Sequence, residues 1–205
     1  MRPFLIVIAT VALFTGPSQT QALDQAFCSL RDPNTEIYSL FPEADSYRSI
    51  VRLIGQKTRD ALSKSLPFTL HFNELAEHTV YIAQEGKEPL GLVHLRSEAS
   101  KWGLVEIAWA LDFDLHILDF SFVRCRDRSK KTFEENREIR AKIIGANLTD
   151  LKKFLRADGN SLNLDTMPID PKDTDLGVVI IRNALKTIAV TQNAWNDALV
   201  DLRDK

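Results

Sequence analysis

Apolar residues in the middle of the chain recur at every second position or in short runs, a pattern typical of β-strands. The connections at residues 85–88 and 112–114 are short and polar at their edges, as antiparallel hairpins require. We therefore expect an antiparallel meander of four to five strands. The segments with this pattern are residues 68–72, 79–83, 90–95, 104–111 and 115–123.

Apolar residues spaced three and four positions apart flank this region and predict amphipathic helices on both sides of it. One helix is expected from Ser46 to the residue before Pro67, and a charged helix is expected at residues 131–144. Thr174 is a favourable N-cap for a long helix near the end of the chain. The expected fold is α+β, with an antiparallel meander sheet packed against an N-terminal helix and a long C-terminal helix in a single domain, residues 23–205.

The start of the chain has the three parts of a secretory signal peptide. Arg2 precedes an uninterrupted apolar run at residues 4–14, and a polar stretch ends at Ala22. The run has about half of the ~20 apolar residues that a membrane-spanning helix needs, so no permanent membrane anchor is expected. We expect residues 1–22 to be removed as a signal peptide and the remaining domain to lie in the periplasm or to be secreted.

The charge balance of 26 basic and 28 acidic residues gives no indication of nucleic-acid binding. The two cysteines, Cys28 and Cys125, both follow the predicted cleavage point, and oxidising conditions outside the cytoplasm favour their pairing. A disulfide that joins the N-terminal segment to the sheet is therefore one expectation, and two free thiols are the alternative. The sequence has no Cys-x-x-Cys spacing, which argues against a redox-active pair.

The sequence has no recognisable catalytic motif, so candidate sites are limited to clusters of suitable residue types. A run at the end of the last predicted strand places five positive charges within residues 124–131. Such a run is suited to a phosphate or an acidic partner, and a solvated strand end is the alternative. The last helix carries a second polar cluster. The two clusters consist of Arg124, Arg126, Arg128, Lys130 and Lys131, and of Arg182, Asn183, Lys186 and Thr187.

Two further sets of residues in the predicted sheet have alternative interpretations. Trp102 and Trp109 either line a slot for a flat aromatic ligand or belong to an ordinary core. His94, Glu106 and His116 lie on three adjacent predicted strands, where they would bind a metal or exchange protons only if their side chains face one way. Ordinary buried or surface histidines are the alternative, and no metal site is predicted.

The order of elements resembles the FMN-binding domain family of periplasmic electron-transfer proteins. The resemblance rests on residues 40–47 (LFPEADSY), on a following helix, on a strand meander with a start at Gly91, and on the closing helix. Members of the family carry a threonine that is esterified by the flavin phosphate, and the matching position here is Ala184. Because alanine has no hydroxyl group, the resemblance implies non-covalent FMN binding instead of covalent attachment.

The resemblance also implies which residues contact the cofactor. The cations of both polar clusters would neutralise the FMN phosphate, while Trp109 or Trp102 would stack against the ring system. A periplasmic or membrane redox partner is implied as well. The residues assigned to the cofactor are Arg124, Arg126, Arg128, Arg182, Asn183, Lys186, Thr187 and Trp109.

Two functions are therefore consistent with the sequence. One is a periplasmic protein that binds flavin without a covalent bond or assists electron transfer. The other is a cofactor-free periplasmic interaction module that docks a partner protein through residues 124–131. A hydrolytic or metal enzyme built on His94, Glu106 and His116 is a third hypothesis, which no catalytic motif supports.

Overall fold

The computed structural model describes residues 33–203, which contain one five-stranded antiparallel sheet. Each strand pairs with the next strand along the chain, so the sheet is a simple meander. The predicted α+β fold with an antiparallel meander is confirmed. The strands are β1 (Ser46–Leu53), β2 (Glu77–Glu85), β3 (Glu88–Ser100), β4 (Gly103–Leu111) and β5 (Ile117–Arg124).

Helices surround this sheet, and the long C-terminal helix begins at Thr174 as predicted, although Asp173 and not Thr174 occupies its N-cap position. It packs along β3, which is the longest strand. Within residues 33–203, no helix is long and apolar enough to cross a membrane. The helices are α1 (Asn34–Leu40), α2 (Gln56–Leu62), α3 (Lys130–Glu135), α4 (Arg137–Ile143), α5 (Leu148–Lys153), α6 (Thr174–Ala194) and α7 (Asn196–Arg203), with 3-10 turns at Phe72–Glu74 and Pro171–Asp173.

The helix predicted from Ser46 to the residue before Pro67 is wrong in its first half. Residues 46–53 form β1 and pair with β2 along their whole length, and only α2 is helical. The apolar positions Ile50 and Ile54 fit the period of a helix, but the backbone hydrogen bonds to β2 outweigh that local preference. The edge strand therefore comes from a segment whose pattern alone indicates a helix.

The strand predicted at residues 68–72 is also wrong. This segment has no strand partner and leads into the 3-10 turn that starts at Phe72. Leu70 is buried while Phe72 is 62% exposed, although residues two positions apart would share one face of a strand. The short apolar run indicates a strand, but no neighbouring strand supplies backbone hydrogen bonds to it.

The two faces of the sheet are covered unequally. Strands turn alternate side chains to opposite faces, and Trp109 lies on the face that packs against α6 in the main core. The opposite face has smaller side chains such as Ala108 and Ala110, which pack against α1 and Phe41. Gly91 allows this contact, because a Cβ atom there would lie 2.6 Å from Cζ of Phe41.

The strand register defines two ends of the sheet. Ser100 and Gly103 flank the β3–β4 turn, and Arg124 at the end of β5 lies opposite Glu106 near the start of β4. The β3–β4 turn and the last residues of β5 therefore lie at the same end. We call the surface formed by the β3–β4 turn and residues 124–131 the basic end. The β2–β3 and β4–β5 turns lie at the opposite end.

Several sequence predictions concern residues outside the described part of the chain. The predicted signal peptide, residues 1–22, and Cys28 both lie there. Cys125 is half-buried and forms no disulfide with any residue from 33 to 203, and burial raises the pKa of its thiol. Its pairing with Cys28 stays a prediction.

Candidate functional site

Five charged side chains lie between β3 and α6 and form what we call the buried charge network: Glu74, Arg96, Glu98, Arg182 and Lys186. Nζ of Lys186 lies 2.8 Å from Oε1 of Glu74 and 2.7 Å from Oε2 of Glu98. The guanidinium group of Arg96 pairs with the other oxygen of Glu74. Arg182 closes the network at its rim, with Nε 3.5 Å from Oε1 of Glu98. Three cations therefore share two carboxylates, and the network keeps one net positive charge.

Three different elements supply the network. Residues 94, 96 and 98 of β3 share the face that α6 covers, because side chains two positions apart point the same way. Arg182 and Lys186 are four residues apart on α6, so they lie on one face of that helix. Glu74 comes from the 3-10 turn, where its Oε1 also accepts a hydrogen bond from the backbone N–H of His71 at 2.8 Å.

Neutral side chains extend the contact between α6 and the sheet. Nε1 of Trp109 donates to Oδ1 of Asn183 at 2.7 Å, and Nδ2 of Asn183 donates to the backbone oxygen of Arg96 at 2.9 Å. Oγ1 of Thr187 donates to the backbone oxygen of Asn183 at 2.8 Å. Trp109, Asn183 and Thr187 are fully buried. The polar groups of these three residues are therefore engaged within the core.

Burial and the charges of the network together shift the pKa values of Glu74, His78 and His94. Burial would raise the pKa of Glu74, but the positive charges of Arg96 and Lys186 outweigh burial and lower it. Burial, with help from the charge of Arg96, lowers the pKa of His78 to about 4. Burial, together with His78 and Arg96, lowers the pKa of His94 well below its usual value. Near neutral pH both histidines are therefore uncharged and Glu74 is ionised.

The three residues considered for metal or proton chemistry do not come together. His94 faces α6, where its Nδ1 lies 2.8 Å from Oγ1 of Thr191. Glu106 is three positions from Trp109 on β4, and Trp109 lies opposite His94, so Glu106 faces the other side of the sheet. His116 lies at the β4–β5 turn and bonds to Asp112. Among the described residues, no group of three metal-binding side chains is present.

The basic end carries the cations of the run at residues 124–131. Lys130 pairs with Glu134 at 3.1 Å. The other four cations have exposed side chains and form no ion pair with any residue that the structure describes. These four are Arg124, Arg126, Arg128 and Lys131.

Trp102 lies in the β3–β4 turn of the basic end and is 56% exposed. Nζ of the adjacent Lys101 lies 5.9 Å from the centre of the Trp102 ring. A hydrogen bond to Asp175 raises the pKa of Lys101, and the charge of Asp127 acts in the same direction. The strand register places this turn and the start of the basic run at the same end of the sheet.

The structure separates the residues that were predicted to hold a cofactor. Oγ of Ser129 donates to the backbone oxygen of Lys172 at 3.5 Å, which places the basic run beside the start of α6. Lys186 lies fourteen residues further along, or roughly 20 Å along a helix axis. Arg124, Arg126 and Arg128 are therefore exposed at one end of the sheet. The remaining predicted residues, Trp109, Arg182, Asn183, Lys186 and Thr187, belong to the contact between α6 and the sheet.

Sequence reasoning missed Glu74, Arg96 and Glu98. The alternation of His94, Arg96 and Glu98 within an apolar strand was a signal for the last two, because alternate residues share a face. Glu74 gave no such signal, since its segment is not part of a periodic element. Only the path of the chain places its carboxylate beside Lys186.

Two open cavities lie away from these groups, near the opposite end of the sheet. One has a volume of about 450 Å³ and the other about 250 Å³. None of the predicted cofactor residues lines either of them. Their lining residues include Glu88, Asp112, Asp114, His116, Gln192 and Arg203.

Comparisons with known protein families and with the curated proteins found no match to this chain. The resemblance to FMN-binding domains therefore stays a prediction.

Replacing Lys186 by methionine is expected to lower the free energy of unfolding by about 3–5 kcal/mol, because Glu74 and Glu98 would lose their shared cation in the interior. Urea unfolding measures the change. Lys131→Met is the matched control, since Lys131 is exposed and unpaired within residues 33–203, and a change within about 0.5 kcal/mol is expected. Equal stability of the two variants would contradict this account of the network.

Acidification from pH 6.5 towards pH 4.5 is expected to destabilise the protein through His78 and His94. A histidine whose pKa is lower in the folded state binds a proton more readily when the protein is unfolded. Below the unfolded pKa of 6.5, proton binding therefore favours unfolding. The stability present above pH 6.5 is lost as the pH falls. Each histidine should contribute about 1.4 kcal/mol per pH unit. Glu74, whose pKa is lowered from 4.5, contributes mainly below this window.

Urea unfolding at a series of pH values measures this slope. His78→Gln is expected to remove about half of it, because one of two equivalent contributions is lost. His116→Gln is the control, because His116 is partly exposed at the β4–β5 turn. If the free energy of unfolding is constant between pH 6.5 and pH 4.5, His78 and His94 have the same pKa values in the folded and unfolded states, which would contradict this prediction.

Proposed function

We propose that this protein is a cofactor-free docking module that binds an anionic partner through the basic end. The observation that carries the proposal is the set of four exposed cations, Arg124, Arg126, Arg128 and Lys131, which form no ion pair within residues 33–203. Like charges that are close together repel one another and do not help the fold. An anionic surface would neutralise them on binding.

The contrast with the interior supports this choice. Lys186 and Arg182 have carboxylate partners, and their interaction with a ligand would require those ion pairs to break. Such a step would leave the buried carboxylate of Glu98 without a partner and Glu74 with Arg96 alone, which is costly. The cations of the basic end bind without any such loss, because they are already exposed to solvent.

Binding of fluorescent poly-L-glutamate, followed by anisotropy, tests the basic end. Reversing two charges with Arg126→Glu and Arg128→Glu is expected to weaken binding by at least about tenfold and to reduce its salt dependence. The matched control reverses Arg48 and Lys87, two exposed cations near the opposite end of the sheet. Both double variants change the net charge equally, so equal weakening would mean that overall charge alone is responsible and would overturn the proposal.

Flavin binding stays a prediction of the family resemblance, and it has a separate test. Under the proposal, protein purified from its native compartment has no visible flavin absorption and does not quench the fluorescence of added FMN. The physical reason is that Trp109, Asn183 and Lys186 are buried and already bonded within the core. A flavin spectrum, or saturable quenching, would instead support the electron-transfer hypothesis.

A further inference from the structure

We infer that the anionic partner is the surface of a phospholipid membrane, to which the basic end binds reversibly. The inference rests on the proposed function and assigns a partner class to the same surface. Its starting point is that one exposed tryptophan, Trp102, lies in the β3–β4 turn at the same end of the sheet as the exposed cations. Tryptophan together with Lys and Arg is the combination that membrane–water interfaces favour.

The turn holds Trp102 outward in a defined position. Oγ of Ser100 accepts a hydrogen bond from the backbone N–H of Trp102 at 3.1 Å and donates one to the backbone oxygen of Gly103 at 2.7 Å. Gly103 has a φ of 101°, a conformation that glycine adopts without strain. Because the turn is already ordered, little conformational entropy is lost when the indole ring enters the headgroup region.

Four acidic residues near the basic end have partners, whereas Glu135 on α3 is exposed and forms no ion pair within residues 33–203. The pairs are Asp175 with Lys101, Asp170 with Lys172, and Glu134 with Lys130, while Asp127 accepts a hydrogen bond from the backbone N–H of Ser129.

The distribution of charge also orients the molecule. At the opposite end, the β2–β3 turn carries the exposed carboxylates of Glu85 and Glu88. An anionic bilayer would therefore attract the basic end and repel the β2–β3 turn. A single indole ring with a few cations gives reversible association, in contrast to a spanning helix.

The fluorescence of Trp102 supplies a specific readout. The chain has three tryptophans, and Trp109 and Trp195 are buried, so a change of environment at the surface is reported by Trp102. We expect a blue shift of the emission when the full chain meets vesicles in which about a third of the phosphatidylcholine is replaced by phosphatidylglycerol. Phosphatidylcholine vesicles alone should give no shift, and Trp102→Phe should remove it.

Co-sedimentation with the same vesicles measures the strength of binding. Arg126→Glu with Arg128→Glu is expected to lower the partition coefficient by at least about thirtyfold, and Trp102→Ala by about tenfold. The control variants are Arg48→Glu with Lys87→Glu, and Val200→Ala, which removes an exposed apolar side chain on α7. All variants are compared as the full chain, so the apolar run at residues 4–14 is common to them.

The outcomes separate this inference from the proposed function. If poly-L-glutamate binding depends on the basic end but vesicles cause no emission shift, the partner is an acidic macromolecule and the membrane inference is overturned. Vesicle binding that the charge reversals leave unchanged overturns it as well. If neither polyglutamate nor vesicles bind, both proposals fall.

Discussion

The position of α6 depends on one buried cation, Lys186, which lies between the carboxylates of Glu74 and Glu98. A lysine in the interior is tolerated only when its charge is paired and hydrogen-bonded. The two carboxylates come from the 3-10 turn and from β3, so pairing fixes the helix relative to both elements. Asn183 lies one helical turn away from Lys186, where it donates a hydrogen bond to β3 and accepts one from Trp109.

This arrangement favours specificity over stability. Nε and Nη1 of Arg96 have no hydrogen-bond partner among the described residues, although the side chain is fully buried. A network that is only partly satisfied adds little stability compared with an apolar core of the same volume. It does penalise any other register of α6, because a shift would leave buried charges unpaired. We interpret the network as the device that selects one packing of α6 against β3.

Lysine and arginine have different roles in the interior of the protein and on its surface. Lys186 and Arg182 lie against carboxylates and hold the fold together. Arg126 and Arg128 project into solvent, where their charge acts over longer distances and is free to attract an anionic surface. The residues that resemble a cofactor site in the sequence are thus divided between a structural interior and a surface suited to docking.

The sequence by itself determined the α+β class, β2 to β5 in outline and the start of α6 at Thr174, because each has a periodic pattern of its own. It did not determine β1, since Ile50 and Ile54 fit a helix until β2 supplies hydrogen bonds. Nor did it determine which cations have carboxylate partners and which have none within residues 33–203. Tertiary structure decided that, because Glu74 is distant in sequence from Lys186 and only folding brings the two charges together.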